Sequence, residues 1–493
     1  MNQEHLDPTS EISLETVKSR AVKGVVVLTG RTFLLSTLSL VATGLLTVFL
    51  SPSEFGIFWI VSAIVNFLAY FGDIGLAAAL IQKKELPERK DLTTTFTVQQ
   101  ILVVTLLVIL FFLAPFLSRI YGLSGQGKLL LYALGLSLFM SSLKTIPSIL
   151  LERRLEFGKL VIPQVLENLV YNVVAVVLAW KGFGITSFTF AVLARGVVGL
   201  VVMYFLQPWL PGFSFSKKSL KSLLSFGVPY QANTLLATLK DDGMTVFLGG
   251  ILGPSGIGLL GWAQKWGQAP LRFFMDHVIK VTFPAFSRMQ DEREHLQRSV
   301  TRSVFFICFL VFPSLIGLLV LAPVLVQIIP RYTKWEPALI PLGFIAINTV
   351  FAAITTQLTN LLNAIGKIRT TFKLMIMWTA LTWLFVPGLA LKFGVKGAAL
   401  GYALVGLSST VAIIIARRQV KFSLAHSFIK PLVSGLIMGG VLFYVRGLLP
   451  VRPASVWILI GLGAIIYISS IYLLVGSSLK DDVKKSLKAL LGR

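Results

Sequence analysis

One cysteine among 493 residues, Cys308, excludes a disulfide framework and any cysteine-based metal site. It stands in an apolar run and reads as a small buried hydrophobe. Charge is scarce at 13% of the chain, and acidic charge scarcer still, with 21 Asp and Glu against 45 Lys and Arg. The four histidines never form a pair or a Glu-x-x-His arrangement, and no phosphate-binding loop or dinucleotide fingerprint is present. No loop is long enough to house a catalytic domain. Together these absences argue against an ATPase, a membrane glycosyltransferase or any other enzyme, and no cofactor is expected.

What the chain has instead is apolar surface. Hydrophobic residues make up 55% and the mean hydropathy is +0.82, a balance that no soluble core-and-surface arrangement could dissolve. Apolar stretches of about 20 residues recur from Val25 to Val475, each long enough to cross a hydrocarbon core of roughly 30 Å. They end at Gly, Pro or charge clusters, and the ten-residue alternation of a transmembrane β-barrel is absent. The fold class is therefore all-α and polytopic, with about fourteen spans. Their expected cores lie at 24–50, 55–82, 94–118, 129–151, 158–180 and 185–207, then 223–251, 255–280, 303–329, 338–362, 370–391 and 397–416, with a last pair at 431–449 and 454–476. The N-terminal segment is polar through Lys23 and lacks a cleavable signal pattern, so the first span is expected to be the insertion signal.

A formal charge of +24 in a soluble chain would suggest nucleic acid; here the position of the charge along the chain matters more, and no nucleic-acid partner is expected. Lys18, Lys23, Lys83, Lys84, Arg153, Arg154, Lys217, Lys218, Arg288, Arg293, Lys367, Arg417, Arg418 and Lys480 all fall on the side shared by the two termini, which the positive-inside rule places in the cytoplasm. The chain also repeats. Leu50, Pro52, Ser53 and Gly56 are matched by Leu252, Pro254, Ser255 and Gly258, and Phe183-Gly184-Ile185 by Phe393-Gly394-Val395 at nearly the same offset. Two pseudo-symmetric six-helix lobes follow, 1–213 and 223–420, joined by a cytoplasmic linker at 214–222 and followed by two further helices and a tail at 421–493. Transporters built this way place substrate in a central cavity.

Ionisable residues at bilayer depth cost several kcal/mol unless they meet water, protein or a partner. Arg31, Asp73, Glu167, Arg195, Lys240, Asp241, Asp242, Lys265, Arg272 and Asp276 all fall inside expected spans. Helical phase groups them into stripes: Trp59, Ser62, Asn66, Tyr70 and Asp73 on span 2, Tyr230, Asn233, Lys240 and Asp241 on span 7, Trp262, Lys265, Arg272 and Asp276 on span 8. Such stripes fit a hydrated cavity whose aromatic rings suit sugar faces and whose cations suit phosphate. Arg31, Arg195, Lys240, Lys265 and Arg272 are the candidates for an anionic head group. Asn66, Tyr70, Asp73, Glu167, Asn233, Asp241, Asp242 and Asp276 are the other polar cavity candidates; among them Asp73, Asp241 and Asp276 are alternative Na⁺ or proton sites. Blander roles stand beside these. Lys144 is near enough to the end of span 4 to snorkel, Arg31 and Asp73 suit an ion pair, Lys240 is open to neutralisation by its acidic neighbours, and Gln164, Glu167, Asn168 and Tyr171 suit helix-to-helix bonding.

Three segments carry a resemblance: Phe71-Gly-Asp-Ile-Gly-Leu-Ala-Ala-Ala-Leu-Ile-Gln82, Leu150-Leu-Glu-Arg-Arg-Leu-Glu-Phe157 and Thr282-Phe-Pro-Ala-Phe-Ser-Arg288. With the turn Leu252-Gly-Pro-Ser-Gly-Ile-Gly258 and the run Arg288-Met-Gln-Asp-Glu-Arg293, the chain resembles the polysaccharide transporter family. These are the Wzx-type O-antigen and exopolysaccharide flippases of the multidrug/oligosaccharidyl-lipid/polysaccharide exporter superfamily, and the similarity is greatest to the colanic and teichuronic acid exporter branch. The resemblance implies transport of undecaprenyl-diphosphate-linked oligosaccharide from the inner to the outer leaflet of the cytoplasmic membrane, for surface polysaccharide or lipopolysaccharide synthesis. It also implies membrane lipid, a polysaccharide polymerase and a chain-length regulator as partners. A cation-coupled drug or metabolite antiporter and a lipid II flippase are the rival readings; the surplus of cations weighs against the antiporter.

Overall fold

The computed structural model describes residues 14–83, 85 and 87–476, without the side chains of 14–29, 232–234, 236, 276 and 277. Lys84 and Lys480 thus lie outside the described residues, as do the side chains of Lys18, Lys23, Asn233 and Asp276. The described residues form helices and no strand. In order these are α1 (Leu14–Phe49), α2 (Pro52–Ala69), α3 (Leu76–Gln82), α4 (Arg89–Tyr121), α5 (Gly125–Leu143), α6 (Thr145–Arg153), α7 (Phe157–Trp180), α8 (Thr186–Leu206), α9 (Lys217–Thr238), α10 (Met244–Arg288), α11 (Arg293–Ile328), α12 (Leu339–Ala364), α13 (Ile368–Ser408), α14 (Thr410–Gln419), α15 (Lys430–Leu448) and α16 (Pro453–Val475). Eleven are long and apolar enough to cross a membrane, or twelve when α5 and α6, bent by 42° at Lys144, are taken as one. Fourteen spans remain compatible with this. The helices α10 and α13 each contain a non-helical glycine, Gly253 and Gly394, at the point where one apolar run gives way to the next. The chain is a multi-pass membrane protein.

Two compact units divide the chain, one running to Gly258 and the other starting at Leu259. Within the first, Ser51 starts α2 with a reciprocal cap: its backbone N–H donates to the Glu54 carboxylate at 2.7 Å while the Glu54 N–H donates to Ser51 Oγ at 3.3 Å, with Pro52 in the first turn. One core of this unit joins Leu76 and Leu80 of α3, Phe96 of α4, Ile146 and Leu150 of α6 and Leu223 of α9. The α3 helix is seven residues long and would fray alone. Arg153 holds its end, with Nη1 2.7, 3.0 and 2.9 Å from the carbonyl oxygens of Leu80, Ile81 and Lys83. Replacing Arg153 by Ala is expected to lower stability by about 2 kcal/mol, with Lys recovering part of the loss because an ammonium cannot reach as the planar fork does. Thermal unfolding of the purified variants in detergent measures this.

Residues of the expected linker are docked. Ser214 N–H donates to Thr97 Oγ1 at 3.2 Å and Ser216 N–H to Thr94 Oγ1 at 3.1 Å, so the threonine run of α4 is where the basic segment is fastened. In the second unit, Val304, Ile307, Val311 and Leu315 of α11 meet Ile354, Leu358 and Leu361 of α12, and Cys308 lies fully buried among them, as its apolar run implies. The α15 and α16 pair joins α11 through Val320, Met438, Leu442, Leu459 and Tyr467. The repeat read at Phe183-Gly184 and Phe393-Gly394 has a backbone counterpart in each unit, where both glycines hold a left-handed φ, +57° and +58°.

Candidate functional site

Two polar clusters form within the first unit. The first surrounds Glu167, which is buried on α7. Lys144, at the bend after α5, donates to its Oε1 in a short ion pair, and Arg195 Nε of α8 lies 3.7 Å from its Oε2. The carboxylate fits because Gly199 of α8 has no side chain: a Cβ there would lie 1.9 Å from Glu167 Oε1. Lys144 therefore does not snorkel. At membrane depth an opposing carboxylate in reach holds an ammonium better than a stretched route to the interface. One turn earlier on α7, Gln164 accepts from Arg31 Nη1 of α1 at 2.6 Å. Arg31 is thus bound to Gln164 and not to Asp73, so the expected ion pair between those two is absent. Arg31 Nε remains buried without an acceptor. Arg195 keeps about half of its side chain exposed (54%), so one end of this cluster stays open to a ligand.

The second cluster lies where two helices lose their regular form. The stripe expected on span 2 runs in phase only to Tyr70: after α2 comes a single 3-10 turn, Tyr70–Gly72, then Asp73, then Ile74 and Gly75 with φ of +49° and +75°. Asp73 is consequently turned off the stripe, and its carboxylate accepts from the Ala77 N–H at 3.2 Å, capping α3. The cause is non-local. Gly75 packs on Gly227 of α9 so closely that a Cβ on it would lie 2.2 Å from the Gly227 oxygen, and a helical span could not make that approach. Tyr70 O–H donates to the Gln231 carbonyl in a short bond while Gln231 Nε2 donates to the Tyr70 carbonyl at 2.7 Å. Beyond α9 a π-helical turn, Leu239–Gly243, carries Lys240, Asp241 and Asp242. The widened turn frees backbone groups and re-aims side chains, a form often found at functional positions. Asp242 accepts a hydrogen bond from the Asn66 side chain of α2, and Lys240 Nζ lies 3.3 Å from Asp241 Oδ1, the self-neutralisation expected of that triplet.

In the second unit α10 carries Lys265 and Arg272, both exposed. Arg272 Nη2 donates to Gln268 Oε1 at 3.2 Å, and among the described residues neither cation has a carboxylate within ion-pair distance. Trp262, expected to line a cavity with them, is buried instead: it stacks on Trp335 at 5.8 Å and donates from Nε1 to Tyr332 Oη at 3.2 Å. Its phase matches Lys265, yet the short helical turn at Thr333–Ala338 covers it. The side chains of Asn233 and Asp276 fall outside the described residues. The sequence signals neither Gln231 nor Gly227, which follow no charge stripe, and the place of Lys144 near a span end suggests snorkelling where the structure pairs it with Glu167. The only signal for that last pairing was the presence of one acid and several bases at similar depth.

Residues 45–339 match the family described as polysaccharide biosynthesis protein. The succinoglycan biosynthesis transport protein ExoT of Rhizobium meliloti is 27% identical over 63% of this chain and 62% of its own length. The lipopolysaccharide biosynthesis protein WzxC of Escherichia coli is 24% identical over 77% of each chain. Among solved structures, the lipid II flippase MurJ in an inward closed conformation aligns with a TM-score of 0.69 at 16% identity, over 92% of this chain and 98% of its own. That likeness establishes the fold.

Proposed function

From the premise that this chain belongs to the polysaccharide biosynthesis protein family, we propose that it is a flippase. It moves a lipid-diphosphate-linked oligosaccharide repeat unit from the inner to the outer leaflet of the cytoplasmic membrane, with both termini in the cytoplasm. The observation that carries the reading is the pair of exposed cations on α10, Lys265 and Arg272, which lie inside a span with no carboxylate partner among the described residues. A cation so placed requires water or an anion. A diphosphate supplies the anion, and a guanidinium binds it through two parallel N–H bonds. Arg31 and Arg195 offer further donors in the first unit, and Lys240 a weaker one, since Asp241 already holds it.

In this scheme the polar head passes through the protein by alternating access while the lipid tail stays in the bilayer. A negative cytoplasm favours outward movement of an anionic head by about 2.3 kcal/mol per charge per 100 mV, if no cation accompanies it. Asp73, Asp241, Asp242 and Asp276 are the acids available to Na⁺ or a proton if one does. A polysaccharide polymerase and a chain-length regulator would act on the product.

In a strain dependent on this chain, Arg272→Ala and Lys265→Ala are expected to reduce surface polysaccharide about tenfold or more at normal protein level, the scale of one charged hydrogen bond. Unchanged polymer in both variants would remove the basis of the reading. Cation-gradient-dependent drug efflux from vesicles would favour the antiporter, and lysis on depletion the lipid II flippase.

A further inference from the structure

In the second unit an apolar groove of about 520 Å³ lies along α11, α15 and α16, lined by Phe309, Pro313, Gly317, Met438, Gly463 and Ile468. It is open because of glycine: nothing lies within 4 Å of where a Cβ on Gly317 would be. Along α11 it extends from Phe309 to Leu321 and along α16 from Leu459 to Ile468. At 1.5 Å per residue that is about 14 to 18 Å. The hydrocarbon core is roughly 30 Å thick, so the groove has the depth of one leaflet and not of the whole bilayer.

Leu459 also lines a second, smaller cavity of about 170 Å³, together with Gln327, Arg446, Pro450 and Ser455. This cavity sits at the end of α15 and α16 that the positive-inside assignment puts outside. Its shape is set rigidly. Pro450 and Pro453 bracket the turn, and Ser455 Oγ donates to the Pro450 carbonyl at 2.6 Å. Arg446 is held there by one bond from Nη1 to the Val320 carbonyl at 3.1 Å and by the Phe443 ring, whose centroid is 4.8 Å from its guanidinium carbon. Among the described residues no carboxylate faces it. Four of the five guanidinium N–H donors are therefore left for another acceptor. Arg452 adds a second positive charge at the cap of α16.

We propose that this is a binding site for an anionic phospholipid of the outer leaflet, with the phosphate on Arg446 and an acyl chain in the groove beside Gly317. The charge at one end and the single-leaflet length of the other point to the occupant together: a sugar head would not fill an apolar groove, a lipid without phosphate would leave the guanidinium unanswered, and a zwitterionic one would set its own cation beside Arg446 and Arg452. The site does not depend on what the chain transports.

Its test is lipid retention. The full chain is reconstituted in vesicles of phosphatidylglycerol and phosphatidylcholine, extracted in mild detergent, and the lipid still bound is identified by native mass spectrometry. Wild type is expected to keep about one phosphatidylglycerol per chain, and Arg446→Gln and Gly317→Leu each to keep about tenfold less, the scale of a lost charged bond or a blocked chain. Gly440→Leu, on an open face of α15, is expected to retain it. If Arg446→Gln does not fold, Gly317→Leu decides. Equal retention of phosphatidylcholine by wild type, or undiminished phosphatidylglycerol in Gly317→Leu, overturns the proposal. So does displacement of phosphatidylglycerol by added undecaprenyl phosphate, which would assign the groove to a transported lipid. Retention is read without transport, so its failure leaves the flippase reading standing, and loss of that reading leaves the lipid site standing.

Discussion

Gly56→Ala is expected to abolish polysaccharide export while the protein still accumulates in the membrane. A Cβ on Gly56 would lie 1.6 Å from the Pro254 oxygen, and one on Gly258 would lie 1.8 Å from the Pro52 oxygen. The two turns that repeat one another in sequence thus press backbone into backbone, each filling the space that the other's glycine leaves. Overpacking against side chains costs about 1–3 kcal/mol because rotamers can give way. Here the obstacle is a carbonyl on a proline-bearing helix start, so the two segments must part. A bias of about 3 kcal/mol shifts a two-state equilibrium by roughly a hundredfold, enough to trap a chain that, under the alternating access proposed above, closes these turns once per cycle. In a Cys308→Ser background, Ser53→Cys is expected to react faster with a membrane-impermeant maleimide once Gly56→Ala is added. Gly250→Ala, where nothing lies within 4 Å, should change neither export nor labelling. Wild-type export by Gly56→Ala would show that the turns need not close.

What the chain reveals before folding is whatever local pattern decides. Spans follow from apolar runs, and the repeated turn from Leu50, Pro52, Ser53 and Gly56 recurring as Leu252, Pro254, Ser255 and Gly258. The breaks at Gly253 and Gly394 fall where polar or glycine punctuation ends a run. The interruption of span 2 is different in kind. Helical phase through Trp59, Asn66 and Tyr70 extends naturally to Asp73, and nothing local in that stretch forbids a helix. It is the approach of Gly227 to Gly75, together with the exchange of hydrogen bonds between Tyr70 and Gln231, that stops it. Those partners lie about 150 residues away, beyond any periodicity. Lys144 fails to snorkel for the same reason: its distance to an interface is legible, its distance to Glu167 is not. Trp262 shares a helical face with Lys265, but a face is polar or buried according to what lies across from it, and Trp335 lies across.

Glu167→Ala is expected to be among the most destabilising single changes outside the apolar cores, by about 3–5 kcal/mol, the usual cost of leaving a buried cation without its partner. Lys144 is the group left behind, with only 19% of its side chain exposed and, among the described residues, no second carboxylate within ion-pair distance, whereas Arg195 can turn to its exposed side. The loss should therefore be repaired through Lys144: Lys144→Met combined with Glu167→Leu is expected to regain most of the unfolding midpoint, because a buried pair replaced by packed apolar groups is often neutral. Gly199→Ala should act in the same direction as Glu167→Ala, since its Cβ displaces the carboxylate. Glu167→Gln separates structure from transport. The amide still accepts from Lys144 but no longer competes for Arg195, so stability is expected to fall by about 1–2 kcal/mol while a diphosphate gains a freer guanidinium. If Arg195 serves the anionic head, export by Glu167→Gln should survive a loss of stability that, in Glu167→Ala, removes the protein altogether. Export and unfolding midpoint falling in proportion through the whole series would mean that the cluster only holds helices together.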